Sequence, residues 1–436
     1  MKILVIDPCA LSLDWTMRCQ AEGHKVKWYV KPDDKYRYVG KGIVERVDSP
    51  IEWAKWADLI FFTDNTRYTH MVDEWRKQGI AVVGPNSKST EWELDRGVGM
   101  NVFKKCGVPT IASRVFSDYD VAISYVKRTM KRYVSKPSGD ADKALSYCSK
   151  TPEDMVFMLE RWKKLGKIKS PFILQEFVPG IEMAVGGWFS KGGFNLGFCE
   201  NWEFKKLMND DMGVATGEQG TVLRYVKKSK LADKVLLPCE EELEKVGYVG
   251  HVDVNCIIAD DGTPYPLEWT MRPGWPLFNI QQALHVGDHA EWLMDLAEGR
   301  DGRNWELNKI ALGVVLSIPD YPYSHLIRQE VTGIPVYGMK LSPEPFVHPC
   351  EMMLGEAPHQ ENGKILNKRC LVTAGDYVMV QSGTGSTVSE AKGISYRGLK
   401  ALQMPNSPMY RTDIGNRLKK QLPLLQKMGY ATGMEF

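Results

Sequence analysis

Short apolar runs alternate with helical segments through the first ninety residues, and that alternation leaves few folds open. Lys2–Ile6, Val26–Val30, Asp58–Thr63 and Ile80–Val83 read as buried strands, separated by helical stretches near Trp15–Glu22 and at His70–Gln78. Strands and helices in this order imply a parallel sheet. Gly84-Pro85 ends this unit.

The pattern then loosens. Glu91–Lys105 reads as one helix, stopped at Cys106-Gly107. Arg132–Lys136 reads as a strand entering a polar loop, Pro137–Lys143, and Pro152–Lys164 as a helix. Phe172–Phe177 and Met183–Phe189 read as strands, Asn209–Gly220 as a glycine-bearing loop and Ala232–Gly247 as a helix. The strand His251–Ile258 and the short strand Tyr265–Leu267 flank a turn at Asp260-Asp261-Gly262. The chain becomes polar around Glu298–Asn308, and Ile310–Ile318, Lys368–Thr373 and Tyr377–Val380 look like strands beyond it, with Ser389–Leu402 as an amphipathic helix. This predicts an α/β and α+β multidomain protein: an α/β domain over 1–90, a central domain over 91–305 and a β-rich domain over 306–436.

The bulk numbers exclude several function classes. With 436 residues, 43% hydrophobic and 25% charged, the chain has the composition of a soluble globular protein. Its net charge of +2 gives no reason to expect nucleic acid. No apolar run approaches the ~20 residues that span a bilayer, and MKILVID reads as a strand and not as a secretory leader. Nine cysteines without a C-x-x-C pair fit reduced thiols in a cytoplasm. Small-molecule substrates, no membrane and a monomer or dimer are the expectation. His285 and His289 are four residues apart on an expected helix, but no third metal ligand stands near them.

Four segments carry chemistry. In GTPYPLEWTMRPGWP (262–276), a short strand delivers Glu268 at its end, with Arg272 four residues on. A carboxylate beside a fixed guanidinium suits a magnesium–phosphate site. Lys136 ends a strand and opens a loop holding Lys143, where lysines can reach phosphate oxygens; an ordinary strand-end lysine would look the same. Gln175, Phe177, Val178 and Glu182 form a strand end that can present backbone to an adenine edge and a carboxylate to ribose hydroxyls; a plain hairpin with exposed acids is the alternative. The 209–220 glycines would let backbone N–H groups approach an anion, or mark only a surface loop. Asp253 and Asn255 alternate onto one strand face, where either could supply a metal oxygen or simply face solvent.

Read in order, these segments resemble the ATP-grasp superfamily and, within it, the phosphoribosylamine–glycine ligase family. GPNSKSTEWELDRGVGMNVFKKCGVPT (84–110) resembles that family's GP…SK…F…GIPT stretch. YVSKPSGDADK (133–143), LQEFVPGIE (174–182) and KKLMNDDMGVATGEQG (205–220) resemble its mobile loop, hinge and glycine segment. LEWTMRPGWP (267–276) resembles IEFNCRFGDP, and LVTAGD (371–376) and YRTDIG (410–415) resemble its C-terminal CVTALGD and YRRDIG. The resemblance implies ATP and Mg2+ (or Mn2+) bound between two lobes, and a carboxylate joined to an amine through an acyl phosphate. It implies that Arg96, Lys136 and Lys143 contact phosphates, that Gln175, Phe177 and Val178 hold adenine, and that Glu182 holds ribose. Glu268 would bind metal, with Asn255 and Asp253 as further candidates. Arg272 and Lys136 would serve the transferred phosphoryl, and Asp211, Thr216, Gly217, Arg272, Gly274 and Arg411 the substrates. It implies purine biosynthesis as the setting.

The departures lie mainly on the amine side. The family's glycine loop GSGGREH reads Asp7-Pro8-Cys9-Ala10-Leu11-Ser12-Leu13 here, and its GPE reads Thr63-Asp64-Asn65. Arg96 stands in place of a lysine, and Thr270 in place of a metal-binding asparagine. Because the loop no longer looks built for a ribose phosphate, the same chemistry on a different amine is one rival reading. A non-catalytic binding protein is the other.

Overall fold

The computed structural model describes residues 1–137, 146–166, 171–194, 197–300, 306, 309–324, 328–405 and 407–436. The first five strands are β1 (Lys2–Ile6), β2 (Lys25–Tyr29), β3 (Glu45–Val47), β4 (Leu59–Phe62) and β5 (Ala81–Val83). They pair in parallel in the order β3-β2-β1-β4-β5. Strand β3 escapes the sequence reading because Glu-Arg-Val carries no apolar run, and it needs none at a sheet edge. Strand order reverses beside β1, so a crevice opens past the ends of β1 and β4, the usual ligand position in such sheets.

The next four strands form a small antiparallel sheet with its own core. They are β6 (Ser113–Phe116), β7 (Tyr133–Pro137), β8 (Tyr147–Cys148) and β9 (Phe172–Glu176), in the order β6-β9-β7-β8. Helices Tyr119–Thr129 and Pro152–Leu165 cover it through Ile123, Val126, Met155, Leu159 and Trp162, which close on Phe116 and Phe172.

The largest sheet joins the central and C-terminal parts. Its strands are β10 (Gly180–Ser190), β11 (Gly193–Phe194), β12 (Phe198–Lys206), β13 (Ala215–Val226), β14 (Gly250–Ala259), β15 (Pro264–Thr270), β16 (Ile310–Ser317) and β17 (Val347–Pro349). A hairpin of β18 (Met352–Glu361) and β19 (Lys364–Thr373) follows, and β20 (Tyr377–Gly385) returns to the sheet. The order is β15-β14-β10-β12-β13-β16-β20-β17. Val222 faces Leu312 across β13 and β16, so hydrogen bonding continues past the polar stretch expected to divide two domains. One apolar core runs from Val5 and Trp28 through Val185 and Trp202 to Leu312 and Leu418.

Several expected elements differ. The helix expected over 91–105 is two helices, Ser87–Leu94 and Arg96–Lys105, because Asp95 is extended and its carboxylate accepts from the N–H groups of Gly97 (2.8 Å) and Val98 (3.1 Å). The helix expected over 232–247 breaks into Lys230–Val235 and Glu240–Lys245 around a 3-10 turn containing Pro238. The 209–220 loop is shorter than expected: a 3-10 turn, Asn209–Asp211, leads into β13, which takes in Thr216 and Gly217. Strand β15 continues past Leu267, so Glu268 lies within it and not at its end. His285 and His289 share no helix, since Gly287 turns the chain at φ +95° and the next helix starts at Glu291.

Candidate active site

Lys136 on β7 and Gln175 on β9 come from the small sheet. Glu182 on β10, Glu203 and Lys205 on β12, Asn255 on β14 and Glu268 on β15 come from the large one. Arg96 opens the helix that Asp95 caps. Alternation along β12 puts Glu203 and Lys205 on one face.

Lys205 is the hub. Its Nζ lies 2.9 Å from Glu203 Oε2, 3.1 Å from Glu182 Oε1 and 3.9 Å from Glu268 Oε1. Arg96 Nη2 holds the other Glu268 oxygen at 3.0 Å. Burial pulls the Lys205 ammonium down, but Glu182, Glu203 and Glu268 outweigh it and lift it well above the ordinary lysine value. Lys136 goes the other way. Burial, with Arg96 and Lys205 as like charges nearby, lowers it to about 8 despite Glu268 and Glu182. Burial alone would raise Glu182, yet Lys205 and Arg417 hold it below the usual carboxylate range. Three cations around one partly exposed carboxylate suit a metal-bound polyphosphate.

The donor set fits a hard cation. Asn255 Nδ2 donates to Glu203 Oε2 at 2.7 Å, which leaves Asn255 Oδ1 buried and without a hydrogen-bond partner among the described residues. Asn255 stands directly across from Glu268 in the β14–β15 ladder. Glu268 and Asn255 can therefore offer oxygens to Mg2+ from adjacent strands. Asp253 lies deeper, accepts from Asn201 Nδ2 at 2.9 Å, and is pushed up to about 8 by burial and by the Glu203 charge. A carboxyl that keeps its proton at neutral pH is the weaker metal candidate.

At the hinge, Gln175 is buried between Ser113 and Val134. The Phe177 N–H already donates to Arg132 C=O at 3.0 Å, and the Arg132 guanidinium lies 3.6 Å over the Phe177 ring. Val178 follows in the link between β9 and β10. Lys143 lies outside the described residues.

Arg272 turns toward the N-terminal sheet. Its Nη2 is 3.1 Å from Glu93 Oε1, and Glu93 Oε2 accepts from the Met271 N–H (2.7 Å) and Asn65 Nδ2 (2.8 Å). Past β1, Asp7 is fully buried. Its Oδ2 accepts from Ser12 N–H at 2.7 Å, Ser12 Oγ at 2.6 Å and Trp28 Nε1 at 3.1 Å. Burial raises the Asp7 carboxyl, against those hydrogen bonds. Donors that could meet an outside anion in the crevice are thus already answered from within.

The remaining expected contacts are spread out. Thr216 Oγ1 donates to Lys205 C=O at 2.9 Å, and Gly217 has open space where a Cβ would point. Gly274 sits in the turn after β15, and its C=O accepts from Phe278 N–H at 2.8 Å. Arg411 is 2% exposed, and its guanidinium holds Asp413, Asp211 (2.9 Å) and Lys206 C=O (3.0 Å). That arginine clasps the 209–211 turn to the C-terminal part. No motif in the sequence assigns a role to Glu203, Lys205, Glu93 or Arg417. The period-2 pairing of Glu203 with Lys205 was the available signal.

A small antiparallel sheet and a larger one, both contributing to this set of charges, define the ATP-grasp fold. Residues 98–276 match the family described as "Phosphoribosylglycinamide synthetase, ATP-grasp (A) domain". The chain is 26% identical over 360 residues to a phosphoribosylamine–glycine ligase of Ralstonia nicotianae, covering 80% of this chain and 81% of that one. It is also 26% identical over 367 residues to a bifunctional purine biosynthetic protein of Pichia angusta, again over 80% of this chain but only 44% of that protein's length. The crystal structure of the phosphoribosylamine–glycine ligase of Thermotoga maritima superposes with a TM-score of 0.71 at 20% identity, over 95% of this chain and all of that one. The chain thus carries the ATP-grasp fold and is similar to phosphoribosylamine–glycine ligases.

Proposed function

We propose that the chain is an ATP-dependent ligase that joins a carboxylate to an amine through an acyl phosphate, the reaction type of its relatives in purine biosynthesis. The observation that carries this reading is the set of Arg96, Lys136 and Lys205 around Glu268. A carboxylate oxygen of the first substrate attacks the γ-phosphorus of ATP, and ADP leaves. The amine then attacks the acyl carbon, phosphate leaves, and the nitrogen's surplus proton passes to solvent. Positioning and charge neutralisation supply most of the catalysis.

In this reading Lys136 and Arg96 hold phosphate oxygens, Glu182 the ribose, and Val178 the adenine edge, because the Phe177 N–H is already engaged. Glu268 and Asn255 would hold Mg2+, which when bound would supply charge neutralisation to the phosphates. Arg272, facing the N-terminal crevice, steadies the acyl phosphate where the amine arrives. Lys143 belongs with the phosphate contacts by the resemblance alone.

Glycine with phosphoribosylamine is the first pair to assay. A second reading, an amine without a phosphate at the β1 crevice, is favoured by Asp7, whose carboxylate occupies the local donors. The test is ADP formation with glycine and phosphoribosylamine against a panel of unphosphorylated amines. A kcat/KM of about 10⁴ M⁻¹s⁻¹ or more for phosphoribosylamine supports the first reading. Turnover with another amine only supports the second. Failure to cleave ATP with any amine of either kind overturns both.

A further inference from the structure

Away from the candidate ATP site, ligand-type side chains gather at the seam between the end of helix Leu13–Ala21 and the segment 285–291. His285 and His289 looked isolated in sequence, and folding supplies them with neighbours. Donor atoms of Glu22, His24 and Asp288 all lie within 4.8 Å of one another. His24 Nε2 is 2.8 Å from Asp288 Oδ2, and His289 Nδ1 is 2.5 Å from Glu22 Oε1. His24 and His289 are largely buried, with side chains 7% and 13% exposed.

The outer contacts of these groups hold them in place. Asp288 Oδ1 accepts from the N–H groups of Ala290 (2.8 Å) and Glu291 (2.9 Å), and Glu22 Oε2 from the His289 N–H (3.0 Å). Each carboxylate thus spends one oxygen on backbone and turns the other to an imidazole. His24 Nδ1 is fixed 3.0 Å from the Met1 nitrogen, and the His289 ring packs 4.4 Å from that of His285. Backbone hydrogen bonds of the kind made to Asp288 and Glu22 orient metal-ligating carboxylates. One imidazole nitrogen beside two carboxylate oxygens, with water free to complete the shell, suits zinc and its first-row neighbours better than magnesium.

We propose that Glu22, His24 and Asp288 form a divalent transition-metal site of the zinc class, with His289 positioning Glu22, and that the ion fastens the N-terminal domain to the central one. Bonds of about 2.0–2.1 Å put tetrahedral donors roughly 3.3 Å apart, so the three donors, already within 4.8 Å of one another, need only small shifts to close on an ion. The proton shared between His24 and Asp288 leaves to solvent on binding.

The full chain, stripped with EDTA, is titrated with Zn2+ by calorimetry and with Co2+ by visible absorption. The expected result is one equivalent bound, intense tetrahedral Co2+ bands, and a higher melting temperature with zinc. His24→Gln and Asp288→Asn should each weaken zinc binding at least ~10-fold. Glu268→Gln should leave it intact, which separates this site from the candidate ATP site. If a histidine variant melts early in EDTA, Glu22→Gln, at a more exposed position, replaces it. Zinc binding that survives these substitutions, or the absence of both stoichiometric binding and a thermal shift, overturns the site and leaves two histidine–carboxylate ion pairs.

Discussion

Glu268 is held between Arg96 and Lys205, and its role can be separated from its contribution to stability. Glu268→Gln keeps volume and loses charge. Its lost ion pair is partly exposed and is worth ~0–1 kcal/mol, so the melting temperature should barely move. ADP formation should fall by at least ~10²-fold, the usual effect of losing one group that stabilises transition-state charge. Unchanged turnover would remove Glu268 from the site. Lys136 makes a pH prediction. With its ammonium lowered to about 8, the free protein loses that charge above this pH, so KM for ATP should climb between pH 7.5 and about 9. Lys136→Arg should flatten the climb, because a guanidinium stays protonated; a profile identical to wild type would show that another group titrates. In the ligand-free protein the sign is the reverse of a stabilising lysine pair. The unfolded chain holds the Lys136 proton more tightly, so this residue's contribution to stability rises with pH from about 8 toward the ordinary lysine value.

Among elements, the break at Asp95 matters most. Without it the sequence 91–105 would run as one helix. With it a new helix starts at Arg96, and that start aims the guanidinium at Glu268. Asp95→Ala should cost ~1 kcal/mol, the typical value of an N-cap. It should also raise KM for ATP, while Lys105→Ala at the far end of the same helix should not. Equal effects on KM would mean that the cap serves stability alone. The 209–211 turn is a second case. Asp210 and Asp211 both take positive φ (56° and 53°), and Arg411 and Asp413 reach across some two hundred residues to hold them.

Across the whole molecule, the candidate site draws Lys136 from the small sheet with its own core and Glu182, Lys205 and Glu268 from the large sheet. A ligand that touches both should stabilise the folded state by mass action, about 2.7 kcal/mol at a hundred times Kd. ATP with Mg2+ at millimolar concentration should therefore raise the melting temperature, and Lys136→Ala and Glu268→Gln, one from each lobe, should each shrink the shift. No shift in folded wild-type protein would end the ATP-binding reading. Among the described residues no helix is long and apolar enough to cross a membrane.

The sequence by itself determined the parallel N-terminal sheet, the strand bearing Lys136, the short segments that carry Glu182 and Glu268 beside strands, and the resemblance that names the ATP-grasp class. These are written in local hydrophobic period and in short motifs, which need no distant partner. Tertiary structure decided the rest. Lys205 became a hub only when β10, β12 and β15 came together, and Asn255 Oδ1 was singled out only once its amide nitrogen had been taken by Glu203. Arg411 became a brace because Asp211 and Asp413 closed around it, and Glu22 and His24 met Asp288 and His289 across more than two hundred and sixty residues. Charge pairing depends on distance in space, and the order of residues along a chain carries little of that until strands take their places in a sheet.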